Sequence, residues 1–176
     1  LYYEENIVGA LTLFRMMRRH GVHRFIFSSS CAVYGNPRRI PIDESHPKDP
    51  VNPYGETKDF VERILRDYDT AYGFPFVALR YFNAAGASLD GRIGESHDPE
   101  THLIPLPLEA AAGLRPALRL FGADYPTRDG TCIRDYIHVS DLAEAHVRAM
   151  EALLAGRPVG ARHLGTGRGQ TNREVL

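Results

Sequence analysis

A tyrosine and a lysine, Tyr54 and Lys58, stand four positions apart at the start of a predicted helix. This spacing places both side chains on one helical face. A phenol with an ordinary pKa near 10 is a poor base at neutral pH. A cation about 4–5 Å away, at an effective dielectric near 20, favours the ionised phenol by ~3–4 kcal/mol. The pair therefore predicts that Tyr54 acts as a general base beside the Lys58 ammonium.

Three serines, Ser28, Ser29 and Ser30, follow the short apolar run at residues 24–27, which predicts a buried strand. In parallel sheets, ligands bind beyond the carboxyl ends of the strands. A hydroxyl at this place is therefore well positioned to contact a substrate. Because serines also cap helices and form turns, the run points to a site only together with the Tyr54–Lys58 pair that follows it.

A third candidate is Arg134, within residues 130–139 (GTCIRDYIHV). The guanidinium group suits bidentate recognition of phosphate. An ion pair with the neighbouring Asp135 is an equally simple use of the same charge.

The elements around these residues alternate between helix and strand. Apolar residues at helical spacing, among them Ile7 and Phe14, predict a helix that ends at Gly21, and residues 24–27 predict the next strand. Residues 36–53 predict an ordered loop, and Asn52 with the following proline predicts a helix that ends at Gly73. Residues 76–82 predict a second strand. This order predicts a parallel sheet with helices on its faces.

In the second half of the chain, Gly, Pro and His are frequent up to residue 107. We predict a short helix near residues 106–112, a strand at 118–121 (LRLF), a helix at 141–154 and a strand at 163–164. Residues 171–174 (TNRE) have the form of a capping box, which opens a helix. Because the chain starts inside one predicted element and stops inside another, we expect it to be a fragment at both ends.

Composition excludes several classes of protein. The 176 residues carry a formal net charge of −1, whereas dedicated nucleic-acid binders usually carry a basic excess. The sequence contains no apolar run near the ~18 residues of a membrane span, and residues 1–6 (LYYEEN) do not resemble a signal peptide. Two cysteines, Cys31 and Cys132, are typical of reduced thiols in a cytoplasmic protein.

Several segments resemble the extended short-chain dehydrogenase/reductase family: residues 28–35 (SSSCAVYG), 52–58 (NPYGETK) and 80–87 (RYFNAAGA). Residues 99–105 (PETHLIP), 121–127 (FGADYPT) and 130–139 are similar to the UDP-glucose 4-epimerases within it. The resemblance implies a Rossmann-like, doubly wound parallel sheet, without its N-terminal βαβ unit, and part of a smaller α/β substrate domain. It places the NAD-binding half at 1–83 and mostly UDP-sugar-binding residues at 84–176, with 130–155 packing back on the first part.

The resemblance also implies roles for individual residues. Tyr54 is the catalytic base, Lys58 lowers its pKa and holds the nicotinamide ribose, and Ser30 bonds the sugar 4-hydroxyl. The implied NAD contacts are Asn6, Ser28, Tyr54, Lys58 and Phe82. The implied UDP-sugar contacts are Ser30, Tyr81, Asn83, His102, Leu103, Leu120, Phe121 and Arg134, with Arg134 on the diphosphate.

The reaction that the resemblance implies is the interconversion of UDP-glucose and UDP-galactose, a step of galactose metabolism. Tightly bound NAD takes hydride from C4 and returns it to the other face of a transient 4-keto sugar. A homodimer through the helices near residues 7–19 and 54–72 is also implied. Because the family's glycine-rich NAD loop would precede Leu1, we expect the 176 residues alone to bind NAD poorly and to be inactive.

Alternatives remain for the substrate. A sugar-nucleotide 4,6-dehydratase would need a carboxylate pair where Cys31 and Ala32 stand, so this chemistry is disfavoured. Epimerases of UDP-pentoses or UDP-N-acetylhexosamines, and a non-catalytic sugar-nucleotide-binding role for the isolated chain, stay open.

Two histidines and two glutamates crowd together in residues 95–102 (ESHDPETH). Such residues could form a metal site. Because Pro99 would break any helix that aligned them, and the resemblance uses His102 for UDP, we expect no metal.

Overall fold

The computed structural model describes residues 1–157 and 160–176. It divides into two compact units. The first contains Leu1–Phe82 and Ala143–Leu164, and the second contains Asn83–Leu142 and Gly165–Leu176. None of the described helices has the length and apolar character needed to span a membrane.

The first unit begins with a helix and alternates with strands, as predicted. A π-helical stretch, Tyr3–Val8, leads into α1 (Gly9–Arg19), then β1 (Phe25–Ser30) and a 3-10 turn (Cys31–Tyr34). The long helix α2 (Pro53–Tyr72) is followed by β2 (Phe76–Tyr81). Later in the chain, β5 (Gly160–Leu164) and most of the helix α4 (Val139–Leu154) complete the first unit.

The first unit is built on a three-stranded parallel sheet in the order β1-β2-β5. Phe25 lies opposite Phe76 in the β1–β2 pair, and Val77 lies opposite Gly160 in the β2–β5 pair. Since successive side chains of a strand point to opposite faces, β2 offers Phe76 and Ala78 to one layer and Val77 and Leu79 to the other.

Helices cover both faces of this sheet. On one face, residues of α1 and α2 (Phe14, Val61 and Leu65) pack against Phe76 and Ala78. On the other face, two α4 residues, Ala149 and Leu153, pack against Val77 and Leu79. A parallel sheet with helices on both faces is a doubly wound α/β fold, which confirms the predicted fold class.

The ends of α2 follow from its sequence. The side-chain oxygen of Asn52 accepts a hydrogen bond from the backbone N–H of Gly55 at 2.9 Å, and Pro53 occupies the first turn. Gly73 ends the helix with a left-handed φ of 58°, a conformation that costs glycine little. Both ends of the predicted helix are confirmed.

The second unit contains a small mixed sheet in the order β3-β4-β6, formed by Asn83–Ala85, Ile133–His138 and Gly169–Thr171. β3 runs parallel to β4, and β6 runs antiparallel to it. The helix α3 (Pro105–Ala111) and the short α5 (Asn172–Val175) complete the unit. Thr171 and Glu174 form the capping box that the sequence predicts.

The predicted strand at residues 118–121 is wrong. The backbone there is not paired with any described strand, and 37% of Leu120 and 79% of Phe121 remain exposed. An apolar run forms a strand only when a neighbouring strand takes up its backbone hydrogen bonds.

Candidate functional site

The three serines at the end of β1 point alternately to the two sides of the sheet and have different partners. Ser29 Oγ donates to Glu62 Oε1 at 2.6 Å, within the buried side of α2. Ser28 Oγ lies 3.2 Å from His146 Nε2. Ser30 Oγ accepts from the backbone N–H of Ala32 at 3.1 Å. Of the three, Ser30 is the one placed where the strand ends and the chain turns away.

Tyr54 lies in the first turn of α2 and is half-buried. Burial raises the pKa of its phenol above the ordinary value, while a hydrogen bond with the Ser30 side chain lowers it, and the phenols of Tyr81 and Tyr2 raise it further. The result is a pKa above 10 in the protein alone. The contact brings two of the predicted catalytic groups, Tyr54 and Ser30, together.

Lys58 follows one helical turn later. Its Nζ lies 5.5 Å from the centre of the Tyr54 ring and 5.0 Å from that of Phe27, and it donates to the Ser28 carbonyl oxygen at 2.9 Å. Burial lowers the pKa of the ammonium. Lys58 forms no ion pair with the residues that the structure describes, so part of its donor capacity is available to a ligand.

The electrostatic role predicted for Lys58 stays a prediction. The pKa of Tyr54 is raised rather than lowered, and Lys58 is not among the groups that shift it. A phenolate at neutral pH therefore needs further positive charge or hydrogen-bond donors, which a bound ligand could bring.

A buried ionic network lies directly beneath the serines. The Glu62 carboxylate accepts from Arg80 Nε at 2.8 Å and from Lys48 Nζ at 2.6 Å, in addition to Ser29. Lys48 also pairs with Asp59 at 2.6 Å. Only 2% of the Glu62 side chain is exposed. Because β1, β2 and α2 all supply members, the network fixes α2 against the sheet.

Two further residues predicted to bind the cofactor have partners in the first unit. The Asn6 side-chain amide donates to Thr57 Oγ1 at 2.9 Å, which places it on the helix that carries Tyr54 and Lys58. Phe82 is half-buried against the cluster around Val33 and Tyr34. Their contact with a cofactor stays a prediction.

The second unit contains a cavity of about 250 Å³. Four of the residues predicted to hold the nucleotide line it, namely Asn83, His102, Leu103 and Arg134. Leu120 and Phe121 are not among the lining residues, and their contact with a nucleotide stays a prediction, as does that of Tyr81, a residue of the first unit.

Arg134 is positioned by β4 with its charge available. Among the residues that the structure describes, its Nη1 donates only to the carbonyl oxygen of Ile133, at 2.9 Å. The Asp135 carboxylate accepts hydrogen bonds from the backbone N–H groups of Thr166 at 3.0 Å and Gly167 at 2.9 Å. The ion pair with Asp135 is therefore not formed, and the guanidinium can meet an anion in the cavity.

Sequence reasoning missed three polar or reactive residues in the cavity wall: Cys132, Tyr136 and Asn172. The first two lie in the same segment as Arg134, on either side of it. Their positions two residues from Arg134 could have indicated that they line the same cavity. Asn172 follows the cap of α5 and gave no signal beyond the capping box.

The doubly wound sheet and the Ser30, Tyr54 and Lys58 group define the class as an α/β protein of Rossmann-like fold. Residues 1–163 match the family described as the NAD dependent epimerase/dehydratase family, so the chain belongs to that family.

Individual relatives agree with the predicted resemblance. The chain is 56% identical over 175 residues to a UDP-glucose 4-epimerase of Rhizobium leguminosarum bv. trifolii, covering 99% of this chain and 54% of the relative. It is 55% identical to the UDP-glucose 4-epimerase of Rhizobium meliloti, over 99% of this chain and 53% of the relative. The chain thus spans about half the length of the curated relatives it matches.

Solved structures give the same result. The UDP-glucose 4-epimerase of Brucella ovis in complex with NAD superimposes with a TM-score of 0.95 at 54% identity, over 99% of this chain and 54% of that one. The enzyme of Bifidobacterium longum in complex with NAD+ and UDP gives 0.91 at 41% identity, over 98% and 52% of the two chains.

Proposed function

We propose that the protein interconverts UDP-glucose and UDP-galactose by inverting the configuration at C4, with NAD as cofactor. The observation that carries this proposal is the Ser30 side chain close enough to the Tyr54 phenol to influence its pKa, with Lys58 Nζ 5.5 Å from the centre of the same ring, on the fold of this family. The names of relatives that match nearly the whole chain support the substrate.

The first unit offers groups that fit NAD. Lys58 is a half-buried cation whose pKa is lowered by burial and which no described carboxylate neutralises, so a polar ligand would relieve its desolvation. Asn6, Ser28, Tyr54, Lys58 and Phe82 would hold the cofactor. When bound, NAD accepts a hydride from the sugar and returns it.

Tyr54 moves the proton in this proposal. As a phenolate it takes the proton of the sugar 4-hydroxyl, which Ser30 holds and helps to relay. The oxidised sugar is a 4-keto intermediate, and Tyr54 gives the proton back when the opposite configuration forms. Since burial raises the pKa of Tyr54 in the protein alone, the phenolate depends on Lys58 and on positive charge that arrives with the cofactor.

The second unit holds the nucleotide in this proposal. Asn83, His102, Leu103 and Arg134 bind UDP, with Arg134 on the diphosphate, and Tyr81, Leu120 and Phe121 add contacts. Most of the binding energy then resides in UDP, which stays fixed. The small keto sugar is left able to turn about its link to the diphosphate and present its other face.

The test is Tyr54→Phe in the complete gene product, assayed for conversion of UDP-galactose to UDP-glucose. Removing the general base is expected to lower kcat by about 100-fold to 10,000-fold. Tyr3→Phe, an exposed tyrosine outside the proposed site and the proposed dimer surface, is the matched control and should keep full activity. Unchanged turnover in Tyr54→Phe would contradict the assignment of the base.

Other UDP-sugars should be offered in the same assay. A similar structure from Stenotrophomonas maltophila is described with NAD and formylated UDP-arabinopyranose, and one from Campylobacter jejuni is described as a UDP-Glc/GlcNAc 4-epimerase. Turnover of a UDP-pentose or UDP-N-acetylhexosamine in preference to UDP-galactose would replace the proposed substrate and leave the chemistry unchanged.

A homodimer and a cytoplasmic location are also part of the proposal. Exposed apolar residues on α1 and α2, Leu13, Met16, Phe60 and Tyr72, favour a second copy of the chain as the partner of these helices. The inactivity of the 176 residues alone stays a prediction.

A further inference from the structure

Four potential metal ligands converge in the second unit. Glu95, His97, Glu100 and His102 each offer one donor atom, and these atoms all lie within 4.8 Å of one another. The sequence analysis expected Pro99 to keep them from aligning along a helix. They meet instead across an irregular turn before α3, so no helix is needed.

The distances suit a small, tetrahedral ion. Glu95 Oε1 lies 3.1 Å from His97 Nδ1 and 2.7 Å from His102 Nδ1. Glu100 oxygens lie 2.9 Å from His102 Nδ1 and 3.9 Å from His97 Nδ1. With metal–ligand bonds of ~2.0–2.2 Å, neighbouring ligand atoms of a tetrahedral zinc ion lie roughly 3.3–3.6 Å apart. The donor atoms now lie between 2.7 Å and at most 4.8 Å apart, so the side chains would have to shift by roughly 0.5–1.5 Å to reach this spacing around an ion.

The charges also suit a divalent cation. Glu100 Oε1 accepts hydrogen bonds from the backbone N–H groups of Thr101 at 2.7 Å and His102 at 2.8 Å, which hold the carboxylate in place. Its side chain is only 5% exposed. With Glu95 it gives the cluster a charge of −2 if both imidazoles are neutral. Two imidazole nitrogens with two carboxylates favour Zn²⁺ over Mg²⁺, which prefers oxygen ligands.

We propose that Glu95, His97, Glu100 and His102 bind one Zn²⁺ or a divalent ion of similar preference. The two imidazoles are more than half exposed, which gives an ion a path from solvent. The metal takes the place of the hydrogen bonds that the histidines otherwise make with the carboxylates.

Two of the ligands, Glu95 and His102, also line the cavity of the second unit. With its Nδ1 on a metal, His102 keeps its proton on Nε2, which makes that atom a hydrogen-bond donor. The metal thereby fixes the tautomer of a cavity residue. Its effect on a nucleotide rests on the proposed function.

The test measures zinc binding to the complete gene product, purified without a histidine tag and treated with EDTA. Titration with ZnCl2, followed by calorimetry and by metal analysis, should give one zinc per chain and a raised Tm, whereas MgCl2 should give neither. His97→Gln should weaken zinc binding roughly 10-fold to 100-fold. His23→Gln, an exposed histidine elsewhere, is the matched control. Absence of stoichiometric zinc, or equal affinity in His97→Gln, would overturn the site.

UDP affinity, measured with zinc and with EDTA, separates this inference from the proposed function. Tighter UDP binding with zinc, lost in His97→Gln, is the expected result. UDP binding without any zinc uptake would refute the metal site and leave the nucleotide proposal standing. Zinc uptake without UDP binding would refute the nucleotide proposal alone.

Discussion

Lys58 and Arg134 carry positive charges that no carboxylate of the described chain neutralises. Arg80 and Arg128, by contrast, are paired with glutamates. Lys58 is half-buried and loses hydration without gaining a carboxylate partner, so a polar ligand can return that energy. Arg134 stays exposed beside the cavity and can meet an anion directly. We therefore expect Lys58 and Arg134 to contact the anionic or polar groups of the ligand.

Arg134→Ala tests this expectation at the level of one side chain. A charge-assisted hydrogen bond contributes about 1.5–3 kcal/mol, so the variant should bind UDP roughly 10-fold to 100-fold more weakly, measured by calorimetry on the complete gene product. Arg66→Ala, an exposed arginine on α2, serves as the control for loss of a charge. Equal UDP affinity in Arg134→Ala and Arg66→Ala would remove Arg134 from the nucleotide site.

The residue types of the site could be predicted from sequence, but their electrostatics could not. Tyr54, Lys58 and a hydroxyl of the serine run were predicted from spacing and from the strand before them, and the family resemblance singled out Ser30. The direction of the Tyr54 pKa shift depends on burial and on the phenols of Tyr2 and Tyr81. Burial and the nearness of these phenols depend on the folded structure, and the spacing of residues along the chain does not give them.

At the scale of elements, α2 carries Tyr54 and Lys58, the two side chains proposed to be catalytic, and its first turn lies very close to the turn that follows β1. A Cβ atom added to Gly55 would lie 2.5 Å from the Ala32 carbonyl oxygen. Such an approach is possible only for a residue without a side chain. The position of Tyr54 relative to Ser30 therefore depends on the residue next to it.

Gly55→Ala should consequently push the start of α2 away from the Ser30 turn. We expect a loss of about 1–3 kcal/mol of stability from overpacking, partly offset by the better helix propensity of alanine, and a fall in kcat because the Ser30–Tyr54 contact is disturbed. Urea unfolding and turnover of the complete gene product measure both. Glu56→Ala, an exposed neighbour, is the control, and identical behaviour of the two variants would show that the close approach is unimportant.

The elements with clear end signals were predicted well, and the two three-residue strands, β3 and β6, were not. Asn52 with Pro53, and Gly73, fixed both ends of α2. β3 and β6 have three residues each, which is too short for an alternation of apolar and polar residues to be recognised. The run at 118–121 had the composition of a strand but pairs with none of the described strands, and pairing is decided by distant parts of the chain.

At the scale of the molecule, the first unit is stabilised by charge as well as by apolar packing. Burial alone would raise the pKa of Glu62, but hydrogen bonds from Arg80, Lys48 and Ser29 outweigh it and bring the pKa to about 2, from an ordinary 4.5. A carboxyl whose pKa is lower in the folded state stabilises the fold above its unfolded pKa. The contribution is lost as the pH falls from about 4.5 through 2.

Glu62→Gln should therefore destabilise the protein at pH 7 and flatten the acid side of its stability profile. The shift from 4.5 to about 2 corresponds to about 3 kcal/mol, and Arg80 would also be left buried without a counter-charge. Urea unfolding at several pH values between 7 and 3 is the measurement. Glu56→Gln, exposed on the same helix, should change little, and a Glu62→Gln protein as stable as wild type at pH 7 would contradict the role of the network.

The parallel sheet of the first unit followed from the order of helices and strands along the chain. The mixed sheet of the second unit did not, because β3 pairs with β4 across some fifty intervening residues, from Asn83 to Tyr136. Local sequence patterns contain no information about such a pairing.

The serines that end β1 restrict how this strand can change. Ser28 is hydrogen-bonded to His146 on one side of the sheet and Ser29 to Glu62 on the other. Polar contacts as well as apolar ones therefore fix which face of the sheet each residue of the strand points to. Deleting one of the three serines would leave serine hydroxyls at the places of Ser28 and Ser29 and would bring Cys31 to the place of Ser30. The ionic network would then keep its hydroxyl, and a thiol would stand where the strand ends. The repeated serine therefore protects the network against a change in the number of residues, and the place of Ser30 takes the whole effect.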